Sequence, residues 1–162
     1  MSNKQKYRFD DTLQNLIDWE NIMKMDRYAG GHDEQMCGLF KGAEVLGHYN
    51  SGDYQGTVAT CVKLKLPRKR KPSFIIYNDY YGSCSGCDSW EDADDNDVRT
   101  MCISLANGAY VFDSLEDVKE FLKTGDKYER EDDGFVTYRW AHEDNVCKGL
   151  LRAIEKQERG EE

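Results

Sequence analysis

The chain has 162 residues, of which 39% are hydrophobic and 33% charged, and its formal net charge at pH 7 is -9. A chain of this length buries one core of ordinary size but not two, so we predict a single domain, residues 1–162, that ends in a charged tail from about residue 156. No apolar run approaches the ~20 residues that cross a bilayer, and the first residues do not form an apolar signal core. The composition therefore indicates a cytoplasmic protein without membrane contact, whose six cysteines are thiols.

The N-terminal part of the chain has hydrophobic residues at helical spacing. Asp11 and Gln14 have the spacing of a capping box, and the leucines and isoleucine that follow recur every three or four residues. This pattern predicts a first helix over residues 12–25. A second helix is predicted over residues 32–46, although two glycines interrupt its apolar face.

Two strands flank a basic loop in the middle of the chain. β-Branched residues alternate over residues 56–66, and an aromatic and aliphatic run follows over residues 73–81. Proline cannot donate to a strand ladder, so Pro67 and Pro72 place the segment between them in an exposed loop that joins two antiparallel strands. That loop carries four consecutive cations, Arg68, Lys69, Arg70 and Lys71. Such a loop is suited to local contact with phosphates or with an acidic protein surface, but a simple solvated hairpin tip is the alternative, and the net charge disfavours direct nucleic-acid binding.

The segment that follows the acidic residues has two readings. Asp97 can cap a helix whose apolar residues recur at i, i+3, i+4 and i+7, and Asn107-Gly108 would end that helix. The alternative uses the same residues as a strand over residues 101–105, with Asn107-Gly108 as a hairpin turn. We favour the helix because the cap precedes it and few of its residues are β-branched.

Short strands and helices alternate over the rest of the chain. A strand is predicted over residues 109–112, a helix opens at Ser114, and a charged loop covers residues 127–133. A last strand is predicted over residues 135–140 and a closing helix over residues 145–157. Together these elements predict an α+β fold, in which a small antiparallel sheet packs with about four to five helices.

Cys84 and Cys87 have the spacing that lets two thiolates bind one zinc ion, and Gly86 permits the tight turn between them. A structural zinc site needs two further ligands, and the chain has no second paired motif. The remaining candidates are Cys37, Cys61, Cys102, Cys147, His32 and His142. The sequence thus contains half of a zinc motif, and the alternative is that both cysteines are small residues in a tight loop after a strand.

A redox role for Cys84 and Cys87 is disfavoured because the adjacent carboxylates would raise the pKa of either thiol. No other cofactor is predicted.

No catalytic motif is present, and we predict no catalytic residue. The three histidines lie far apart and form no metalloprotease or nucleophile-elbow pattern, and no glycine-rich segment ends in the Lys-Ser or Lys-Thr of a phosphate-binding loop. The sequence therefore favours a binding protein over an enzyme. The alternatives are a zinc-stabilised protein-interaction module centred on Cys84 and Cys87, and a small enzyme of unrecognised type.

A dense run of carboxylates is the main candidate for partner binding. Its members are Asp88, Glu91, Asp92, Asp94, Asp95 and Asp97. Carboxylates that share one face can imitate the charge of duplex DNA and bind a basic groove, with Trp90, Tyr80 and Tyr81 as desolvated anchors. The alternative is a solvated, self-repelling loop, which is the commoner fate of a run of like charges.

The segment over residues 80–91, Tyr-Tyr-Gly-Ser-Cys-Ser-Gly-Cys-Asp-Ser-Trp-Glu, resembles segments of small acidic proteins of bacteriophages and mobile elements. The resemblance extends over residues 51–122 and implies a context rather than a chemistry. It implies an anti-CRISPR-like inhibitor in the cytoplasm of a bacterial host. Its expected partner is a nucleic-acid-guided nuclease, such as a Cas effector, whose basic groove would receive a DNA-mimicking surface.

Overall fold

A computed structural model of the chain describes residues 7–24, 31–51, 56–81, 94–125, 130–132, 135–137, 140 and 146–160. Four strands form one antiparallel sheet in the order β1-β2-β3-β4, with β1 at Glu44–Asn50, β2 at Gly56–Leu64, β3 at Ser73–Tyr81 and β4 at Tyr110–Phe112. A separate two-stranded ribbon pairs β5, Arg130–Asp132, with β6, Phe135–Thr137. None of the described helices is long and apolar enough to cross a membrane.

Six helices accompany the strands in the described part of the chain. They are a 3-10 helix at Asp11–Leu16, α1 at Trp19–Lys24, α2 at Gly31–Cys37, α3 at Asp95–Asn107, α4 at Leu115–Thr124 and α5 at Val146–Glu158. The predicted α+β fold is therefore confirmed, and the helix number slightly exceeds the predicted four to five.

The sheet is buried on both faces, because successive residues of a strand point to opposite sides. Along β2, Val58 and Val62 join a core that includes residues of the 3-10 helix, α1, α2 and α3. The residues between them, Ala59 and Cys61, join a second core with α4 and α5. The described helices thus form a layer on each side of the sheet, and β2 contributes to both cores.

Two glycines allow α5 to lie close to the sheet. A Cβ on Gly149 would come closer than 3.0 Å to three ring atoms of Tyr49 in β1. A Cβ on Gly47 would lie 2.8 Å from Cγ1 of Ile154 in α5. At the end of the helix, Nε2 of Gln157 donates to the carbonyl of Val45 in β1, at 2.8 Å. The sequence of α5 is therefore matched to β1 by shape as well as by hydrophobicity.

The first helix, predicted as one element over residues 12–25, is interrupted in its middle, so that part of the prediction is wrong. Ile17 forms a bridge with Phe40, and this long-range pairing separates the 3-10 helix from α1. Asp18 then caps α1, since its Oδ1 accepts from the backbone N–H of Asn21 at 3.2 Å. The cap of the 3-10 helix is Asp10 rather than the predicted Asp11. The predicted end at residue 25 lies outside the described residues.

The predicted second helix is also wrong in its second half. Only Gly31–Cys37 is helical, and Gly42 has a φ of 77°, a backbone conformation that a helix does not contain. Residues 44–46 belong to β1, where Glu44 pairs with Lys63 and Val45 with Val62 of β2.

The strands predicted over residues 56–66 and 73–81 and the exposed loop between them are confirmed, with β2 ending at Leu64, as are the helix that opens at Ser114 and the closing helix. The alternative strand over residues 101–105 is wrong, because α3 covers it. The charged loop over residues 127–133 is partly wrong, since it contains β5. The last strand ends at Thr137, and Trp140 beyond it is fully buried.

Candidate functional site

Cations and carboxylates are separated along the sequence on either side of β3. The chain carries no Lys or Arg between Lys71 and Arg99, but it carries seven carboxylates there: Asp79, Asp88, Glu91, Asp92, Asp94, Asp95 and Asp97. The preceding part has no carboxylate between Asp53 and Asp79, but it has six cations: Lys63, Lys65, Arg68, Lys69, Arg70 and Lys71. The nine residues of β3 run from the basic loop at Ser73 to the acidic part of the chain beyond Tyr81, a span of about 27 Å.

Three of the predicted acidic residues stand together at the start of α3. Asp94, Asp95 and Asp97 are all exposed. Asp94 is the N-cap: its Oδ1 accepts from the backbone N–H of Asp97 at 2.8 Å, and Oδ2 of Asp97 accepts from the backbone N–H of Asp94 at 3.2 Å. The prediction that Asp97 is the cap is therefore wrong by three positions, and these residues have a local role in helix initiation.

The other predicted partner-binding residues are described incompletely. Asp88, Trp90, Glu91 and Asp92 lie outside the described residues. Tyr80 and Tyr81 complete β3, where their backbones pair with Thr57 and Gly56 of β2. The structure thus places the two tyrosines at the strand end from which the chain enters the acidic segment.

The predicted basic loop is exposed, and we call Arg68, Lys69, Arg70 and Lys71 the basic tip. Its turn is closed by a hydrogen bond from the backbone N–H of Lys69 to the carbonyl of Leu66 at 3.2 Å, and Arg68 has a φ of 67°. Beside the tip lies a shallow depression of about 510 Å³, lined by Leu16, Lys65, Leu66, Pro67, Arg68, Lys69 and Arg70. No ion pair joins a basic-tip cation to a carboxylate in the part of the chain that the structure describes.

A polar network that the sequence did not suggest joins α2 to the sheet. Nε2 of His48 lies 2.6 Å from Oδ1 of Asp33 in α2, and Nδ1 of His48 lies 2.8 Å from Oγ1 of Thr60 in β2. Asn50 also donates to Oδ1 of Asp33, at 3.0 Å. The acid–His–hydroxyl order is that of a catalytic triad, but Thr60 is 0% exposed, so its hydroxyl cannot meet a substrate. The network instead ties α2 to the sheet and supplies a partner for the buried hydroxyl.

Cys84 and Cys87 of the predicted zinc pair lie outside the described residues, as do His142 and the side chain of His32. Among the residues that the structure describes, no group of three or more His, Cys, Asp or Glu is placed to hold a metal ion. The cysteines considered as further ligands have other partners or surroundings: Sγ of Cys147 donates to the carbonyl of Trp140 at 3.3 Å, and Sγ of Cys102 accepts from Gln35 at 3.4 Å.

Two of the described thiols are also electrostatically unsuited to act as thiolates. Burial raises the pKa of Cys61 to about 12. Burial, together with the negative charge of Asp33, raises the pKa of Cys37 to about 11. Because the thiolate is the metal ligand and the nucleophile, a raised pKa disfavours both roles for these two groups near neutral pH.

The chain was compared with protein families, with curated proteins and with solved structures, and none of the three comparisons found a match. The charged surfaces described above are therefore the features on which a functional proposal rests.

Proposed function

We propose that the protein is a binding protein whose acidic segment, residues 79–97, docks on the basic groove of a nucleic-acid-binding protein and keeps nucleic acid out of that groove. The observation that carries the proposal is the charge of this segment, which has seven carboxylates and no cation. A dense charge of one sign raises the rate of encounter with a surface of the opposite sign.

The described end of the segment supports this role. Asp94, Asp95 and Asp97 are exposed within one helical turn, so their charges lie close together. The capping box uses one oxygen each of Asp94 and Asp97, and a carboxylate has a second oxygen with which it can accept hydrogen bonds from a partner. Helix initiation and partner binding are therefore compatible roles for the same residues.

The proposed partner is a nucleic-acid-guided nuclease, such as a Cas effector. Such an enzyme holds its nucleic acid in a positively charged channel that recognises the backbone. A protein with an anionic surface can occupy that channel, as in anti-CRISPR-like inhibition. Trp90, Tyr80 and Tyr81 are the aromatic residues that we propose as anchors, because large aromatic side chains dominate binding energy at the centre of interfaces.

The test is cleavage of a target plasmid by purified RNA-guided DNA nucleases, with increasing amounts of the protein. We compare the wild type with a triple variant, Asp94→Asn, Asp95→Asn and Asp97→Asn. Asparagine caps helices about as well as aspartate, so the substitutions remove charge and keep α3 intact. If each exposed charge pair contributes about 0.7 kcal/mol, the triple variant should bind roughly thirtyfold more weakly.

A matched control removes three exposed carboxylates elsewhere, by Glu44→Gln, Glu116→Gln and Glu120→Gln. This control changes the net charge by the same amount, and it should inhibit as well as the wild type. Equal loss in both triple variants would show that only net charge matters and would refute a defined acidic surface. Absence of inhibition with every nuclease tested would refute the proposed partner.

A further inference from the structure

We propose that the basic tip and the depression beside it form a binding site for the phosphate backbone of single-stranded nucleic acid. The site adjoins Ser73 at the start of β3, whereas Asp79, the first residue of the acidic segment, lies near the end of that strand. The inference does not depend on the proposed function.

The basic tip is the centre of a wider cationic region. Lys63 lies near the end of β2, Lys65 follows that strand and lines the depression, and the backbone N–H of Lys41 donates to the carbonyl of Leu16, which also lines the depression. All of these lysines are exposed. With the basic tip, they make seven cations at one end of the sheet: Lys41, Lys63, Lys65, Arg68, Lys69, Arg70 and Lys71.

Several carboxylates also lie at this end of the sheet among the described residues. Glu44 faces Lys63 across the β1–β2 pair. Asp113 follows β4 at the same end of the sheet, but its Oδ1 already binds Nη1 of Arg8 at 2.8 Å. Glu158 of α5 lies at this end too, because the neighbouring Gln157 hydrogen-bonds to Val45 in β1, but Glu158 binds Nζ of Lys119 at 2.5 Å. The basic tip forms no ion pair among the described residues, so it is a local concentration of positive charge on a chain with a net charge of -9.

The described carboxylates at the other end of the sheet are too far away to cancel this field. The tip adjoins Ser73, whereas Asp79 lies six residues along β3, at a distance of about 20 Å. The Debye length is about 8 Å at physiological ionic strength, so exposed charges at that separation are largely screened from each other.

The shape of the site favours a single strand over a duplex. Leu16 and Pro67 form an apolar wall of the depression. The volume of the depression, about 510 Å³, is in the range of small-molecule sites. An unpaired nucleotide can place its base or sugar against this apolar wall while its phosphates meet the cations of the rim. A duplex offers its phosphates but keeps its bases stacked inside. The prolines at both ends of the loop restrict its backbone, which lowers the entropy lost on binding.

The test is fluorescence anisotropy of a labelled single-stranded DNA oligonucleotide of mixed sequence, titrated with the full chain at several salt concentrations. If the four cations of the basic tip neutralise about four phosphates, the slope of log K against log salt should be about -2.8. Affinity should then fall about fiftyfold between 50 and 200 mM salt.

The decisive variant neutralises the basic tip by Arg68→Asn, Lys69→Gln, Arg70→Gln and Lys71→Gln. Asparagine tolerates the positive φ of residue 68, so the loop should keep its conformation. This variant should bind at least tenfold more weakly at 50 mM salt and lose most of the salt slope. A second variant, with Arg68→Lys and Arg70→Lys only, keeps the charge and should bind within about threefold of the wild type, because the salt-dependent term counts charges.

The matched control neutralises four exposed cations of α4 and α5, by Lys123→Gln, Lys148→Gln, Arg152→Gln and Lys156→Gln. It should bind like the wild type. The proposal is overturned if this control loses as much affinity as the tip variant, or if the wild type does not bind at 50 mM salt. It is also overturned if poly-glutamate of equal charge competes as well as the unlabelled oligonucleotide, because the site would then recognise an acidic protein. Since no partner protein is present, failure here leaves the nuclease experiment unaffected.

Discussion

The substitution Gly149→Ala sets two opposing effects against each other. Gly149 lies inside α5, where alanine is favoured over glycine by about 1 kcal/mol because it restricts the unfolded chain. The added methyl group, however, would come within 3.0 Å of Cε1, Cδ1 and Cζ of Tyr49. Overpacking of this kind costs roughly 1–3 kcal/mol, and three clashing ring atoms place this case at the upper end.

The net effect should therefore be a loss of about 2 kcal/mol of unfolding free energy. For a chain of 162 residues, this corresponds to a fall in Tm of roughly 4–8 °C. Urea denaturation and thermal unfolding, both followed by circular dichroism, measure it. Lys148→Ala, at the neighbouring exposed position of the same helix, is the control and should change stability by less than about 0.5 kcal/mol.

The sign of the effect should reverse once the ring is removed. In a Tyr49→Ala background the clash is absent and only the helix propensity remains, so Gly149→Ala should stabilise the protein by about 1 kcal/mol. If Gly149→Ala is neutral or stabilising in the wild type, the close approach of α5 and β1 is wrong. If it still destabilises the Tyr49→Ala protein, Tyr49 is not the cause.

Three further predictions concern the cap of α3, the polar network and the buried thiols. Asp94→Ala should lower the unfolding free energy by about 1 kcal/mol because it removes the N-cap, whereas Asp94→Asn should stay within a few tenths of a kcal/mol of the wild type. Urea denaturation midpoints distinguish the two variants, and equal midpoints would contradict the role of Asp94 as the cap. His48→Leu should lower the unfolding free energy by roughly 1–3 kcal/mol because it leaves the buried hydroxyl of Thr60 without its partner. Adding Thr60→Val should restore part of that stability, and no restoration in the double variant would refute this account. The pKa values of Cys37 and Cys61 are raised from 9.0 to about 11 and about 12, so the folded state holds these protons more tightly than the unfolded chain does. The two thiols therefore contribute their full share to stability below pH 9, and that share is lost as the pH rises towards 12. The unfolding free energy from urea titrations should fall between pH 9 and pH 11, and a constant value would count against the burial of both thiols.

Local signals allowed the central strands to be predicted from the sequence. β2 and β3 have alternating or continuous apolar residues, and Pro67 and Pro72 mark the loop between them. The interruption of the first helix depends instead on the pairing of Ile17 with Phe40, which are far apart in the chain. The strand β1 was missed because its residues include Gly47 and His48, which carry no strand signal and enter the sheet only by pairing with β2.

The same distinction applies to the candidate site. The basic tip was predicted because exposure follows from adjacent cations between prolines. The network of Asp33, His48 and Thr60 was not, because Asp33 is fifteen positions from His48 and the hairpin register alone sets His48 opposite Thr60. Once β1 is recognised as a strand, that pairing is a signal that sequence inspection can use.

The most direct test of the central claim is whether the protein and DNA compete for the same groove. A purified RNA-guided nuclease is mixed with the protein at several concentrations of target DNA, and the half-inhibitory concentration is measured. The account predicts that this concentration rises in proportion to the target DNA, because an acidic surface and a DNA backbone exclude each other from one basic groove. A half-inhibitory concentration that does not change with the amount of DNA would contradict it.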